Sequence, residues 1–278
     1  MKCKMCGSEE FGKPAKFYGT TKRYRKSRFD YAVCKRCGSI TNLTIQEPDY
    51  SDYVTGKGIS DIKVNRFVKL IKQMSISKSS KLLDYGCGNG ALINALNKKG
   101  YNVSGYDPYN KGFCGTIKNG NTYSLVFMTH VFEHVSDYKI FFSNLKKLTK
   151  KGSLFITINP TSTRMKRLNP KNSFQNYNLH APFHVLVPSD KAQIELFRKN
   201  GFKLKKIFRY DIERSGIKDN SRVSAILTEA LGGTKEAVLS ANKKKKALTA
   251  LSSPFKFFYN MFINTKDCLV TTFVFERI

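Results

Sequence analysis

The sequence predicts an α/β fold: a mainly parallel β-sheet with helices on both faces, preceded by a small cysteine-bearing module. Strand-like and helix-like segments alternate from residue 62 onward. A glycine-rich turn joins the first of these strands to its helix. Two Cys-x-x-Cys pairs fall within the first 37 residues.

A length of 278 residues fits one α/β domain plus a small appendage. With 41% hydrophobic and 13% aromatic residues the chain can pack a core, which excludes global disorder. The longest apolar stretches, 154–158 and 268–275, are strand-sized. They fall short of the roughly 20 residues of a membrane-spanning helix. Met1-Lys2-Cys3-Lys4 leads straight into a cysteine motif without an apolar signal core, so a cytoplasmic location is expected. A formal net charge of +29 gives a basic surface. Such a surface attracts nucleic acid, anionic membrane or phosphorylated substrates, or is the solvated face of a lysine-rich composition. The basic residues are spread along the chain apart from the run at 243–246, so charge alone selects no substrate.

Residues 1–46 lack a helical period, and Phe17, Tyr18, Tyr24, Phe29, Tyr31 and Val33 predict short ribbon strands. Residues 46–60 are rich in Pro, Gly, Asp and Tyr and read as a linker covering the next domain. Ile62, Val64, Phe67, Val68, Ile71 and Met74 fit an amphipathic helix. Strands are expected at 81–85, 102–106, 123–128, 153–158, 202–210 and 268–276. Helices are expected at 91–99, 137–150 and 189–200, the first and last of these closed by Gly100 and Gly201. A helical insertion is expected at about 211–265. Within it, a lysine run followed by aromatics extends from Lys243 to Phe262. That stretch suits either peripheral contact with an anionic membrane or a helix covering the core.

Asp84-Tyr85-Gly86-Cys87-Gly88-Asn89-Gly90 is the strand-to-helix turn. Glycines there let backbone approach a ligand, and the helix start presents free N–H groups. Asp107 ends the next strand about 20 residues on, where a carboxylate can accept both ribose hydroxyls of an adenosine.

On these residues the chain resembles the class I S-adenosylmethionine (SAM)-dependent methyltransferases, over residues 47–278. Thr129-His130-Val131-Phe132-Glu133-His134-Val135 is similar to the family's segment after the fourth strand, and 145–158 to the helix, glycine turn and fifth strand that follow. His184-Val185-Leu186-Val187-Pro188-Ser189 and Asn200-Gly201-Phe202 match a later stretch. The resemblance implies a Rossmann-like, seven-stranded sheet that binds SAM through Asp84, Gly86, Gly88, Gly90 and Asp107. It also implies that Tyr50 and Tyr53, just before the domain, reach the SAM site.

Cys3, Cys6, Cys34 and Cys37 form the two Cys-x-x-Cys pairs, with about 27 residues between them. In a reducing compartment such pairs read as metal ligands before disulfides. Four thiolates can close a tetrahedral zinc site that is structural, since no position stays open for water. The alternatives are a metal-free ribbon and a redox pair. A zinc ribbon at 1–46 before a methyltransferase domain at 47–278 resembles the nucleotide-sugar C-methyltransferases and their relatives in surface-polysaccharide pathways. Cys87, Cys114 and Cys268 read as small apolar fillers.

All four histidines fall in two clusters, His130/His134 and His180/His184, expected near the ligand-binding edge of the sheet. The resemblance makes His184 the first choice for a general base. His180 is a helper, and His130 and Glu133 lie close to the transferred methyl; His134 reads as structural. Two departures stand out. Only about 15 residues separate Asp107 from the strand at Tyr123, so the adenine contact has no assignment. Phe183 occupies a position where relatives often carry Glu. The expected activity is methyl transfer to a sugar nucleotide or glycan-linked small molecule. The alternative acceptor is ribosomal or transfer RNA, reached through the basic surface and the ribbon. A non-enzymatic scaffold is the third reading, against which the intact glycine turn and Asp107 argue.

Overall fold

The computed structural model describes residues 1–44, 48–50, 58–114, 122–163, 165, 167–208, 231, 240–241 and 270–278. Tyr53, Cys268, the stretch from Lys243 to Phe262 and nearly all of the expected insertion at 211–265 lie outside the described residues. Among the described residues no helix is long and apolar enough to cross a membrane.

The chain divides into two compact units, and the division is not a single cut near residue 46. One unit gathers the N-terminal residues with Thr161–Ser189; the other gathers the remaining strands and helices up to Pro160, with the last strands.

In the larger unit, helix α1 (Asp61–Gln73) starts at Ser60, whose hydroxyl accepts from Lys63 N–H, and buries Val64, Phe67, Leu70 and Ile71 at helical spacing. There follow β4 (Lys81–Tyr85), α2 (Ala91–Lys98), β5 (Asn102–Tyr106), β6 (Tyr123–Thr129), α3 (Tyr138–Leu148), β7 (Thr149–Pro160), α5 (Asp190–Lys199), β9 (Phe202–Phe208) and β10 (Val270–Arg277). The sheet order is β5-β4-β6-β7-β10-β9. The first four strands run parallel, and β10 lies antiparallel between β7 and β9. Among the described residues the sheet has six of the seven strands the resemblance implies, and past β5 backbone bonds from Asn110, Phe113 and Cys114 form tight turns. The doubly wound, mainly parallel α/β architecture is as the sequence predicts.

Strand β7 also differs from expectation. The turn expected around Gly152 lies inside the strand, which begins directly after α3, where the Thr149 hydroxyl donates to Leu145 C=O (2.7 Å). Residues 150–153 bulge out: Tyr123 pairs with Thr149, but Leu125 already pairs with Leu154. The core of this unit is aromatic. Phe132, Phe141, Phe142, Phe155, Phe197, Phe202, Phe273 and Phe275 are all buried, and Phe197 stacks on Phe275 at 4.0 Å.

The smaller unit is a four-stranded antiparallel sheet, β1 (Ala15–Tyr18), β2 (Arg28–Val33), β3 (Ile40–Asn42) and β8 (Leu186–Val187), with α4 (Ser173–Leu179). Ile40 pairs with Val187 and Thr41 with Leu186. Its core joins Phe17, Tyr24, Phe29, Tyr31 and Ile40 to Met165, Leu179, Ala181, Phe183 and Val187. The N-terminal ribbon therefore shares its core with a segment more than a hundred residues downstream. So short a ribbon has too little apolar surface to close a core alone.

Candidate functional site

The order β5-β4-β6 places a topological switch at β4: the chain goes to one side of it for β5 and to the other for β6. Ligands of such sheets bind beyond the carboxyl ends of the strands at that point. Residues 86–90 lie there. Gly86 and Gly90 have left-handed φ values of 82° and 74°. A Cβ would lie 2.3 Å from Val131 Cγ2 at Gly86 and 2.6 Å from Phe113 Cζ at Gly90. Both conformation and space demand glycine. Val131 follows β6, so the ends of β4 and β6 meet at this turn.

Asp107, just past β5, is tied to the same turn. Its Oδ2 accepts from Gly88 N–H (2.8 Å) and its Oδ1 from Tyr109 N–H (2.9 Å). Asn110 donates to Gly88 C=O (2.7 Å), so the Gly88 residue is gripped through both its N–H and its carbonyl. A carboxylate has about four acceptor positions, and two amide bonds leave Asp107 able to take ribose hydroxyls. Asp84 is buried in β4. Burial first, then the charges of Asp84 and Asp107, pushes the Cys87 thiol up to about 12, which keeps it a neutral filler. The sequence reading missed Asn110, although Asp107-Pro108 and Asn110-Lys111-Gly112 carry turn chemistry that could have flagged it.

After β6 the chain bends sharply at His130 (φ 53°), whose N–H still bonds Ile158 C=O (2.8 Å). His130 Nδ1 lies 3.2 Å from Oε1 of Glu133, which is fully buried in a short 3-10 turn. His134 belongs to the same turn.

His180 and His184 belong to the other unit, with ring centroids 5.3 Å apart. His184 Nδ1 is 2.7 Å from Asn178 C=O. A carbonyl only accepts, so Nδ1 carries the hydrogen and Nε2 is the basic position of the neutral ring. His180 Nδ1 bonds the Thr20 hydroxyl, and its backbone is left-handed (φ 38°). Phe183 is a core residue, edge-to-face with Tyr24 and Tyr50, so no Glu–His pair forms at 183–184. Tyr50 packs on Phe183 and donates to its carbonyl.

The four N-terminal cysteines converge in the same unit. Cys3 and Cys37 sulfurs lie 3.6 Å apart, as do those of Cys6 and Cys34, and all four sulfurs fall within 4.8 Å of one another. A disulfide needs about 2.05 Å. Zinc–sulfur arms of about 2.3 Å in a tetrahedron place the sulfurs roughly 3.8 Å apart, so the donor set fits. The two pairs are built alike. Gly7 N–H bonds Cys3 C=O and Cys3 N–H bonds Ser8 C=O; Gly38 N–H bonds Cys34 C=O and Cys34 N–H bonds Ser39 C=O. Both glycines are left-handed, at 74° and 73°. The second knuckle is also held from downstream: the Ser162 hydroxyl donates to Gly38 C=O and that of Ser189 to Cys37 C=O. Sequence reasoning missed these serines.

Residues 62–207 match the family model described as "Methyltransferase domain". Ubiquinone biosynthesis O-methyltransferases of Rhizobium etli and Rhizobium johnstonii are 25% identical over 154 residues, covering 44% of this chain and 62% of theirs. The match thus spans less than two thirds of those relatives. A SAM-dependent methyltransferase from Archaeoglobus fulgidus superposes with 15% identity and a TM-score of 0.46, over 78% of this chain and 95% of that one. One from Thiobacillus denitrificans, in complex with S-adenosyl-L-homocysteine, gives 13% and 0.45, over 82% and 96%. The family match runs over more than half of the chain, from α1 through the glycine turn to β9, and the chain therefore belongs to the methyltransferase-domain family of SAM-dependent methyltransferases.

Proposed function

We propose that this methyltransferase acts on a sugar nucleotide or a glycan-linked small molecule. The observation that carries the cofactor half is the glycine turn tied to Asp107 at the switch point. Asp84, Gly86, Gly88, Gly90 and Asp107 hold SAM in this reading, which when bound supplies an electrophilic methyl group. The protein's part is to align the acceptor with that methyl, a contribution of roughly 7–11 kcal/mol in well-oriented reactions. The acceptor half rests on the N-terminal cysteine ribbon and its resemblance to the sugar branch. The relatives named as O-methyltransferases favour a hydroxyl as the methylated group. The resemblance puts His184 and His180 on the acceptor side, and the bond from His184 Nδ1 to Asn178 C=O fixes that ring's orientation.

Zinc held by Cys3, Cys6, Cys34 and Cys37 is part of the same reading, and with four protein ligands its contribution is to folding. Contact with an anionic membrane through the stretch from Lys243 to Phe262, at the inner face of the membrane, also belongs to it. The net charge of +29 favours a second reading, an RNA acceptor. A turnover screen separates the two: S-adenosylhomocysteine release is measured with a panel of nucleotide sugars and with ribosomal RNA. Turnover with a nucleotide sugar is expected, and turnover with RNA alone would reverse the assignment.

A further inference from the structure

Within the methyltransferase sheet itself, one imidazole is built like a base. His130 is the first residue after β6, one position before the Val131 that packs on Gly86. Its backbone is held in the left-handed region, which is sterically unfavourable for a residue with a Cβ. Such strain persists only where the surroundings impose it, and it gathers at working sites. Here the N–H bond to Ile158 C=O fixes the backbone while the ring is turned toward Glu133. The Glu133 side chain is 0% exposed, whereas that of His130 is 36% exposed. A buried carboxylate behind a partly exposed imidazole, at the ligand end of the sheet, is the arrangement by which proteins select one histidine tautomer.

We propose that His130 receives the proton that the acceptor loses on methylation, and that Glu133 is its positioning residue. As a carboxylate, Glu133 only accepts, so the neutral ring keeps its hydrogen on Nδ1 and its lone pair on Nε2. The acceptor hydroxyl hydrogen-bonds to Nε2; its proton passes there as the oxygen's electron pair bonds the methyl carbon and the carbon–sulfur bond of SAM breaks, its electron pair leaving with S-adenosylhomocysteine. The resulting imidazolium keeps its Nδ1–H on Glu133. This rests on the SAM-methyltransferase reading of the same crevice. It differs from the resemblance, which puts the base at His184.

The test needs no known acceptor. Long-range proton–nitrogen spectra of the full chain, with His130→Asn used to assign the signal, report the tautomer of His130. Diethyl pyrocarbonate labelling, followed by peptide mass, reports its reactivity with and without S-adenosylhomocysteine. The expected result is a hydrogen on Nδ1 and labelling slowed at least tenfold by saturating S-adenosylhomocysteine. Glu133→Met should lose the tautomer preference and Glu133→Gln, which still offers a carbonyl, should retain it. Calorimetric binding of S-adenosylhomocysteine checks that each variant is folded. It also separates failure of the cofactor reading, in which nothing binds, from failure of this proposal. A hydrogen on Nε2 in the parent chain, or labelling of His130 indifferent to a ligand that does bind, overturns the assignment. Where a nucleotide sugar from the panel supports turnover, His130→Asn should lower kcat by roughly 10²–10⁴ with little change in cofactor affinity. Retained kcat would return the role to His184.

Discussion

The two compact units reach a closed core by different routes. The methyltransferase sheet fills its interior with its own aromatics, from Phe132 through Phe275. The N-terminal unit has a short ribbon, two cysteine knuckles and a core completed by residues 165–187. Its sheet is likewise completed from downstream, by the two residues of β8. A unit built on a short ribbon and four clustered cysteines should respond to perturbation quite differently from one with a continuous aromatic core.

Chelation should separate the units most strongly. Structural zinc binding is worth about 10–16 kcal/mol in small zinc modules. Elemental analysis should find one zinc per chain. Removing it should abolish hydrogen-exchange protection in β1, β2 and β3 while β4, β6 and β7 stay protected. Protein purified without chelator that contains no zinc would sink this expectation. Phe183→Ala comes next. It removes the ring at the centre of the shared core and should destabilise the N-terminal unit by about 3–5 kcal/mol, read as urea unfolding followed by local exchange. An equal loss of protection across both units would show that they do not unfold separately. A smaller effect is expected in the sheet unit from Gly86→Ala. The left-handed backbone and the clash with Val131 together should cost about 2–4 kcal/mol, and cofactor binding should weaken beyond what stability explains.

The parts of this molecule legible in the sequence are those fixed by local chemistry. The glycine turn, Asp107 at a strand end, α5 before Gly201 and the paired cysteines all carry their signal within a few residues. What stayed illegible depends on distant partners. Leu186 and Val187 are a strand only because Ile40 and Thr41 pair with them. Phe183 stands out locally only as a departure from Glu, and nothing near it shows that it belongs to the ribbon's core. The Gly152 bulge reads locally as a turn, and only the register with β6 keeps it inside β7. The short stretch after Asp107 signalled that the adenine contact would have no ready assignment, but not that Asn110 would bond Gly88.

The central claim is that SAM sits over the turn at 86–90 with its ribose on Asp107. Calorimetric titration of the full chain with SAM tests it most directly. One saturable site per chain is predicted, with affinity reduced at least tenfold in Asp107→Ala, whose lost carboxylate is worth roughly 1.5–3 kcal/mol in charge-assisted hydrogen bonds. Unchanged affinity in that variant, in a protein that still unfolds as the parent does, would contradict the site.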